Sequence, residues 1–143
     1  MPLISVIIPL YNKEQFIEKT LLSVLNQKFT DFEVILVNDG STDSSIDLAN
    51  SIKDERITLY TTLNKGVSHA RNYGVSKSTS DLIAFLDADD LWETNHLENL
   101  YSLYESFPNC GLYATAYHKR FFNGKKINAH FNGVSKDHFG IIN

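Results

Sequence analysis

Leu82-Ile-Ala-Phe-Leu-Asp-Ala-Asp-Asp90 decides the fold: an apolar run of strand length, then three carboxylates within four positions. An uninterrupted apolar run reads as a strand buried on both faces, the habit of parallel sheets covered by helices. Its carboxyl end delivers Asp87 and Asp89, one residue apart, to the mouth of the sheet. Carboxylates so close repel one another, and a strand end gains no stability from that. A divalent cation, Mn2+ or Mg2+, would relieve the repulsion, taking one or two protein carboxylates while diphosphate oxygens and water complete its shell. Asp90, just ahead of Leu91-Trp92, has a structural alternative as the cap of the next turn.

On both sides of this stretch strands and helices alternate, which predicts a parallel sheet with crossover helices. Ser5 to Pro9 and Glu33 to Val37 are two further apolar strands. Asn12, with Gln15 three residues on, predicts a capped helix whose Phe16, Leu21, Leu22 and Leu25 form a buried face as far as about Gln27. Ser41-Thr42-Asp43-Ser44-Ser45 predicts the start of a second helix, with Ile46, Ala49 and Ile52 inward. Ile57 to Thr61 alternates as a strand, Asn64-Lys65-Gly66 is a turn, and Val67 to Lys77 is a third helix presenting Val67, Ala70 and Gly74 to the sheet. Thr94 predicts the cap of a fourth helix, with Leu97, Leu100, Leu103 and Tyr104 inward, ending near Pro108. Leu112 to Phe122 alternates as a long strand, Asn123-Gly124 is a hairpin turn signal, and Lys125 to Phe131 returns. The fold class expected is therefore α/β, a mainly parallel sheet flanked by helices and ending in a β-hairpin.

With 143 residues, 43% apolar and 21% charged, the chain has material for one core. A net charge of −4 leaves no basic stripe to displace phosphate counterions, so nucleic acid is excluded as a partner. The single cysteine, Cys110, permits no internal disulfide and suits a reducing compartment, with the cytoplasm as the default. No run approaches the roughly 18 apolar residues of a spanning helix. Lys119, Arg120, Lys125 and Lys126 cluster on the hairpin, where they serve either to discourage edge-to-edge pairing or to touch anionic lipid at the inner face of a membrane. An open sheet edge at Leu112 to Phe122 would be a place for a second copy, hence a homo-oligomer.

The carboxyl ends of the strands bring Tyr11-Asn12, Asn38-Asp39 and Asp87 to Asp89 to one edge, where open parallel sheets bind ligands. Asp39-Gly40-Ser41 has a plainer reading as turn and helix-cap chemistry. Gly66 and Arg71 stand at the opening of a helix, where amides, the helix dipole and a cation suit phosphate or a nucleobase; an Arg paired with a surface acid is the alternative. His69, His96, His118, His130 and His138 show no zinc-like spacing with Cys110. The chain has no Gly-x-Gly-x-x-Gly, no Gly-Lys-Ser/Thr loop and no Gly-x-Ser-x-Gly elbow, which disfavours dinucleotide oxidoreductases, P-loop NTPases and serine hydrolases.

Ser5-Val-Ile-Ile-Pro-Leu-Tyr-Asn12, Val37-Asn-Asp-Gly-Ser-Thr-Asp43, Asn64-Lys-Gly-Val-Ser-His-Ala-Arg-Asn72 and Phe85-Leu-Asp-Ala-Asp-Asp-Leu-Trp92 together resemble the family 2 glycosyltransferases, which have a GT-A fold. The resemblance implies a single GT-A-like domain over 1–143, with a nucleotide-binding portion over 2–117 and a hairpin and tail over 118–143. It implies a nucleotide-sugar donor, usually a UDP-sugar, and a glycan or lipid-linked acceptor. Pro9, Tyr11 and Asn12 would flank the base and ribose, Asp39 would hydrogen-bond the base, and Gly66 and Arg71 would lie close to it. Asp87 and Ala88 would sit by the ribose or sugar, and Asp89 would coordinate the metal that bridges the diphosphate. The implied reaction is an inverting displacement in which an acceptor hydroxyl attacks the anomeric carbon.

One part of the family pattern is missing. The general base comes from an acidic motif well downstream, yet Asp137 is the sole acid between Phe122 and Asn143, in a Lys-Asp-His setting that reads as a solvated loop. The catalytic base is therefore unidentified, and the polar Asn132 to Asn143 reads as a short tail or as a domain cut before its last elements. A binding module that catalyses nothing is the first rival reading. A nucleotidyltransferase is the second, and would want a Gly- and Arg-rich loop where Tyr11-Asn12-Lys13-Glu14 stands.

Overall fold

The computed structural model describes residues 1–120 and 124–128. They fall into two compact units, Met1–Asn95 and His96–Asn143. In the first, β1 (Ile4–Leu10), α1 (Ile17–Leu25), β2 (Phe32–Asn38), α2 (Ser45–Ser51), β3 (Ile57–Thr61), α3 (Val67–Lys77) and β4 (Leu82–Phe85) alternate as expected. The strands form one parallel sheet in the order β3-β2-β1-β4. Chain order runs outward in one direction from β1 to β3 and then returns to the other side of β1. The sheet's topological switch point therefore lies between β1 and β4, and a ligand crevice belongs at their carboxyl ends.

β1 is buried along its whole length, and β2 is buried at every position but one, as strands covered on both faces must be. Ile7, Ile35, Val37 and Ala70 form a core cluster joined by Tyr60, Tyr73 and Ile83. α3 lies close to the sheet because Gly74 has no side chain: a Cβ there would collide with the Ile7 Cγ2 methyl and sit 3.3 Å from Val37 Cγ2. Pro9 occupies a central strand, an unusual place for a residue without an N–H. Ile7 O accepts the Leu86 N–H, whereas Leu10 O accepts the Asp39 N–H, so Ile7 and Pro9 face β4 and Leu10 faces β2. β4 stops pairing at Ile7↔Phe85, so the missing donor of Pro9 falls where the sheet has already opened.

Several local expectations in this unit are corrected: β4, read as a strand buried on both faces, ends the sheet with Phe85 50% exposed, and Phe16, Leu22 and Val67, expected inward, are 37%, 43% and 50% exposed. Asn12 caps no helix: α1 begins at Ile17 after Phe16, with no side-chain cap, and Asn12 stands in the left-handed region at φ 49°. Asn is among the few residues that tolerate that conformation, and here its side chain ties two loops together. The Ser/Thr run after β2 caps α2 through Asp43, whose Oδ1 accepts the Ser45 N–H at 3.0 Å, while Ser44 itself makes no side-chain cap; Ser41 Oγ, Ser45 Oγ and Asp43 Oδ2 bond the loop after β1. Buried positions on α2 are Ser45 and Ala49, with Ile46 and Ile52 half-buried.

In the second unit α4 (His96–Ser106) buries Leu97, and Leu100, Leu103 and Tyr104 are half-buried. The Tyr113 hydroxyl donates to Phe107 O at 2.6 Å, and the Tyr104 and Tyr113 rings meet edge-on at 5.9 Å. The predicted long strand over Leu112 to Phe122 is not formed: only β5 (His118–Arg120) is strand, paired antiparallel with β6 (Lys126–Asn128). Leu112 and Tyr117 are 85% and 61% exposed, so the alternation carries no buried face over residues 112–117, and the sheet edge suggested for a second copy shortens to β5, which pairs with β6 on one side. β5 and β6 thus pair on either side of the Asn123-Gly124 signal, while residues 121–123 lie outside the described residues. Asp137 lies outside the described residues. No helix among those described is long and apolar enough to cross a membrane.

Candidate functional site

A cleft of about 460 Å³ opens at the carboxyl ends of β1, β2 and β4, lined by Pro9, Tyr11, Lys13, Asp39, Gly66, Arg71 and Asp87 to Asp89 among others. Of the site residues expected from the sequence, all but Asn12 line it. Asn12 stands behind the wall: its Oδ1 accepts the Thr42 N–H at 2.8 Å, while its own N–H donates to Ser41 Oγ at 3.1 Å. Lys13 N–H to Ser45 Oγ, Glu14 N–H to Asp43 Oδ2 and Ser44 N–H to Glu14 Oε2 continue the same zipper. The loop after β1 is thereby fastened to the loop after β2. Tyr11 lines the cleft and is 45% exposed.

Asp39 is almost wholly buried, and its carboxylate holds the turn that opens α3. Oδ1 accepts the Thr62 hydroxyl at 3.1 Å and the Lys65 N–H at 3.0 Å; Oδ2 accepts the Gly66 N–H at 2.7 Å. Burial raises the Asp39 pKa, but the Lys65 and Gly66 amides, the Thr62 hydroxyl and His69 outweigh it and leave the group below its ordinary value. Gly66 precedes α3 at φ 91°, a conformation that a side chain would strain, so the glycine lets the turn point its amide at Asp39. One turn into α3, Arg71 Nη2 meets Asp87 Oδ1 at 2.5 Å, and Arg71 Nε is buried with no hydrogen-bond partner among the described residues.

The acidic strand end behaves as charge repulsion dictates. Lys13 Nζ lies 2.7 Å from Asp89 Oδ2, so each of the first two carboxylates has its own cation. Asp90 has none: burial and the neighbouring charges of Asp89 and Asp87 raise its pKa, and Lys13 only partly offsets them. Its N–H closes a turn on Asp87 O at 3.0 Å. The structure shows no cap made by its carboxyl. Ala88 is buried, and its carbonyl receives the Thr20 hydroxyl at 2.9 Å.

The comparisons with known proteins agree with this arrangement. The family model described as "Glycosyl transferase family 2" matches residues 5–140. The chain belongs to glycosyl transferase family 2. An uncharacterized glycosyltransferase of Haemophilus influenzae is 48% identical over 101 residues, covering 68% of this chain and 40% of that protein. A putative teichuronic acid biosynthesis glycosyltransferase of Bacillus subtilis, TuaG, is 42% identical over 100 residues, again covering 68% and 40%. Among solved structures, S. aureus TarS 1-349 superposes with a TM-score of 0.69 at 26% identity, covering 74% of this chain and 33% of that one. The mannosyltransferase PcManGT of Pyrobaculum calidifontis, solved with GDP-Man and Mn2+, gives 0.64 at 30% identity, covering 70% and 31%. The chain thus spans 40% or less of these relatives, and the fold they share with it is GT-A.

In this family 2 chain, Asp87 and Asp89 fit a divalent cation that draws the rest of its shell from diphosphate and water. They do not make a cage: no group of three or more metal-ligating side chains occurs among the described residues. Sequence reasoning passed over Lys13, and it passed over a polar stripe on α1. Ser23 Oγ accepts the Trp92 N–H at 3.2 Å, Gln27 Nε2 donates to Glu93 O at 2.8 Å, and Lys28 N–H donates to Thr94 O at 2.8 Å. With Thr20 on Ala88 O, these bonds hold the whole segment after β4 against one helix. Thr20, on a helix otherwise packed by Ile17, Leu21 and Val24, and Gln27, just past its end, are buried polar residues, and that pattern was the available signal.

Proposed function

We propose that this chain forms the donor-binding portion of a glycosyltransferase that moves a sugar from a nucleotide-sugar, a UDP-sugar in our reading, to a hydroxyl of a glycan or lipid-linked acceptor. The observation that carries the reading is the convergence of Pro9, Tyr11, Asp39, Gly66, Arg71 and Asp87 to Asp89 in one cleft at the sheet's switch point. Tyr11 and Pro9 would flank the base and ribose. Asp39 accepts four hydrogen bonds from three donors, the Lys65 N–H being shared between both oxygens, so a base N–H such as the uracil imide would take the place of the longer Lys65 contact at 3.2 Å. The unpartnered Arg71 Nε–H would serve a base carbonyl or a phosphate oxygen. Asp89, with Asp87 beside it, would hold Mn2+ or Mg2+, which supplies charge neutralisation to the departing diphosphate. TarS has been solved with UDP-GlcNAc and PcManGT with GDP-Man and Mn2+, which supports a nucleoside-diphosphate donor and a divalent ion. In-line attack by the acceptor oxygen would break the bond from the anomeric carbon to the diphosphate and invert that centre. A cytoplasmic setting at the inner face of a membrane suits a lipid-linked acceptor.

Calorimetric titration with UDP, GDP and ADP, each with and without Mn2+, tests the proposal. UDP binding that requires Mn2+ and is weakened at least tenfold in Asp89→Ala is the expected result. Unchanged Mn2+-dependent affinity in a folded Asp89→Ala chain removes the metal assignment, and no nucleotide binding by the folded wild type removes the donor site. Transfer or donor hydrolysis by the chain would in addition rule out a module that only binds.

A further inference from the structure

Lys13 and Asp89 are 76 residues apart along the chain, yet both line the cleft and their side chains meet at 2.7 Å. Neither end is free to drift. The Lys13 N–H is fixed on Ser45 Oγ at 2.8 Å, and the backbone beside Asp89 is fixed by the buried bond from Thr20 to Ala88 O. The contact is thus set by two anchored backbones rather than by a wandering surface lysine. Lys13 Nζ occupies Asp89 Oδ2, one of the two oxygens that carboxylate could offer a cation, and the Arg71 guanidinium lies in the same way on Asp87 Oδ1.

We propose that Lys13 competes with the divalent cation for Asp89, and that a nucleoside diphosphate resolves the competition by accepting the displaced ammonium. The inference rests on the donor-site reading and adds a coupling to it. A metal ion arriving alone must break the Lys13–Asp89 pair and leave two cations side by side. Arriving with a diphosphate, the ion keeps Asp89 while Lys13 turns to the phosphate oxygens, so every charge has an opposite neighbour. Lys13 therefore makes metal and diphosphate bind together, and by reciprocity each strengthens the other by one and the same factor.

Mn2+ binding to the chain, read from the paramagnetic resonance signal of free Mn2+ with and without saturating UDP, tests this in wild type, Lys13→Met and Lys13→Arg. In Lys13→Met we expect Mn2+ alone to bind about two- to fivefold more tightly, the scale of a lost half-exposed ion pair. UDP should then raise Mn2+ affinity by a smaller factor than in wild type. Lys13→Arg, which keeps the charge, should restore wild-type behaviour. Loss of folding, followed by circular dichroism, would weaken Mn2+ binding, the opposite direction. Mn2+ affinity that is unchanged or weaker in a folded Lys13→Met overturns the inference while leaving the donor site standing. A wild-type chain that binds UDP without regard to Mn2+ overturns the inference together with the metal assignment, and a folded wild type that binds no UDP removes the donor site itself.

Discussion

Asp39 illustrates how much of this site is held by single groups. Its two oxygens gather donors from Thr62, Lys65 and Gly66, so the turn before α3 depends on one buried carboxylate. Asp39→Asn would turn an acceptor oxygen into an amide that points N–H at N–H. A buried donor left unmatched costs about 1 to 3 kcal/mol. We expect that loss in chemical denaturation, together with faster amide exchange confined to residues 62–67; slow exchange there in a destabilised variant would show that the turn holds itself. Arg71 and Lys13 are organised by the same logic, each bound to a carboxylate of the strand end, while burial and the charges of Asp89 and Asp87 raise the pKa of Asp90.

At the scale of the element, α1 does two jobs with two faces. Ile17, Leu21 and Val24 pack the core, and Thr20 and Ser23, with Gln27 just past the helix end, grip the segment from Ala88 to Glu93. Thr20→Val keeps the shape and removes the hydroxyl, leaving Ala88 O without that donor inside the protein. The expected result is a loss of about 1 to 3 kcal/mol in thermal stability and a measurable weakening of Mn2+-dependent UDP binding, because the carboxylates are carried by the released segment. Lower stability with unchanged affinity would mean that the grip serves folding alone. α3 works differently, approaching the sheet through Ala70 and Gly74 so that its first turn reaches the cleft.

Across the molecule, acid should undo this fold through its paired carboxylates. The Arg56 guanidinium bonds Asp54 and outweighs the opposing effect of burial, with the Arg56 N–H adding to it, and brings the Asp54 pKa from 3.8 down to about 2. Arg56 also reaches Leu25 O and lies over the Phe32 ring, so this pair ties α1, β2 and the start of β3. A folded pKa below the unfolded one means that the native state binds the proton more weakly. The stabilisation, about 2 kcal/mol, is complete above the unfolded pKa and disappears as pH falls from about 4 towards about 2. Glu33, Asp39 and Asp43 are lowered as well and act with the same sign. Unfolding free energies measured from pH 6 to pH 2 should therefore fall steeply at the acid end, and Asp54→Asn should flatten part of that fall; parallel curves would show that the pair contributes nothing.

Chain order and local pattern determined a good deal of this. Apolar runs and helical spacing marked β3 and α3 at their observed limits, because a buried face imposes its period on the residues that form it. The Asp87 and Asp89 pair was legible because repelling carboxylates at a strand end have no structural reason to be there. Local pattern failed where one residue type serves two purposes. Asn12 with Gln15 has the chemistry of a helix cap, but Asn12 found its partners in the loop after β2, 30 residues away. Leu112 to Phe122 alternates like a strand, but a strand exists only where a neighbour takes its backbone hydrogen bonds, and beyond β5 none does so among the described residues. The sheet order, the switch point beside Pro9, the grip of α1 on the segment after β4 and the meeting of Lys13 with Asp89 belong to the tertiary structure alone. Each joins residues far apart in the chain, and such contacts follow from the packing of whole elements, which no local spacing records.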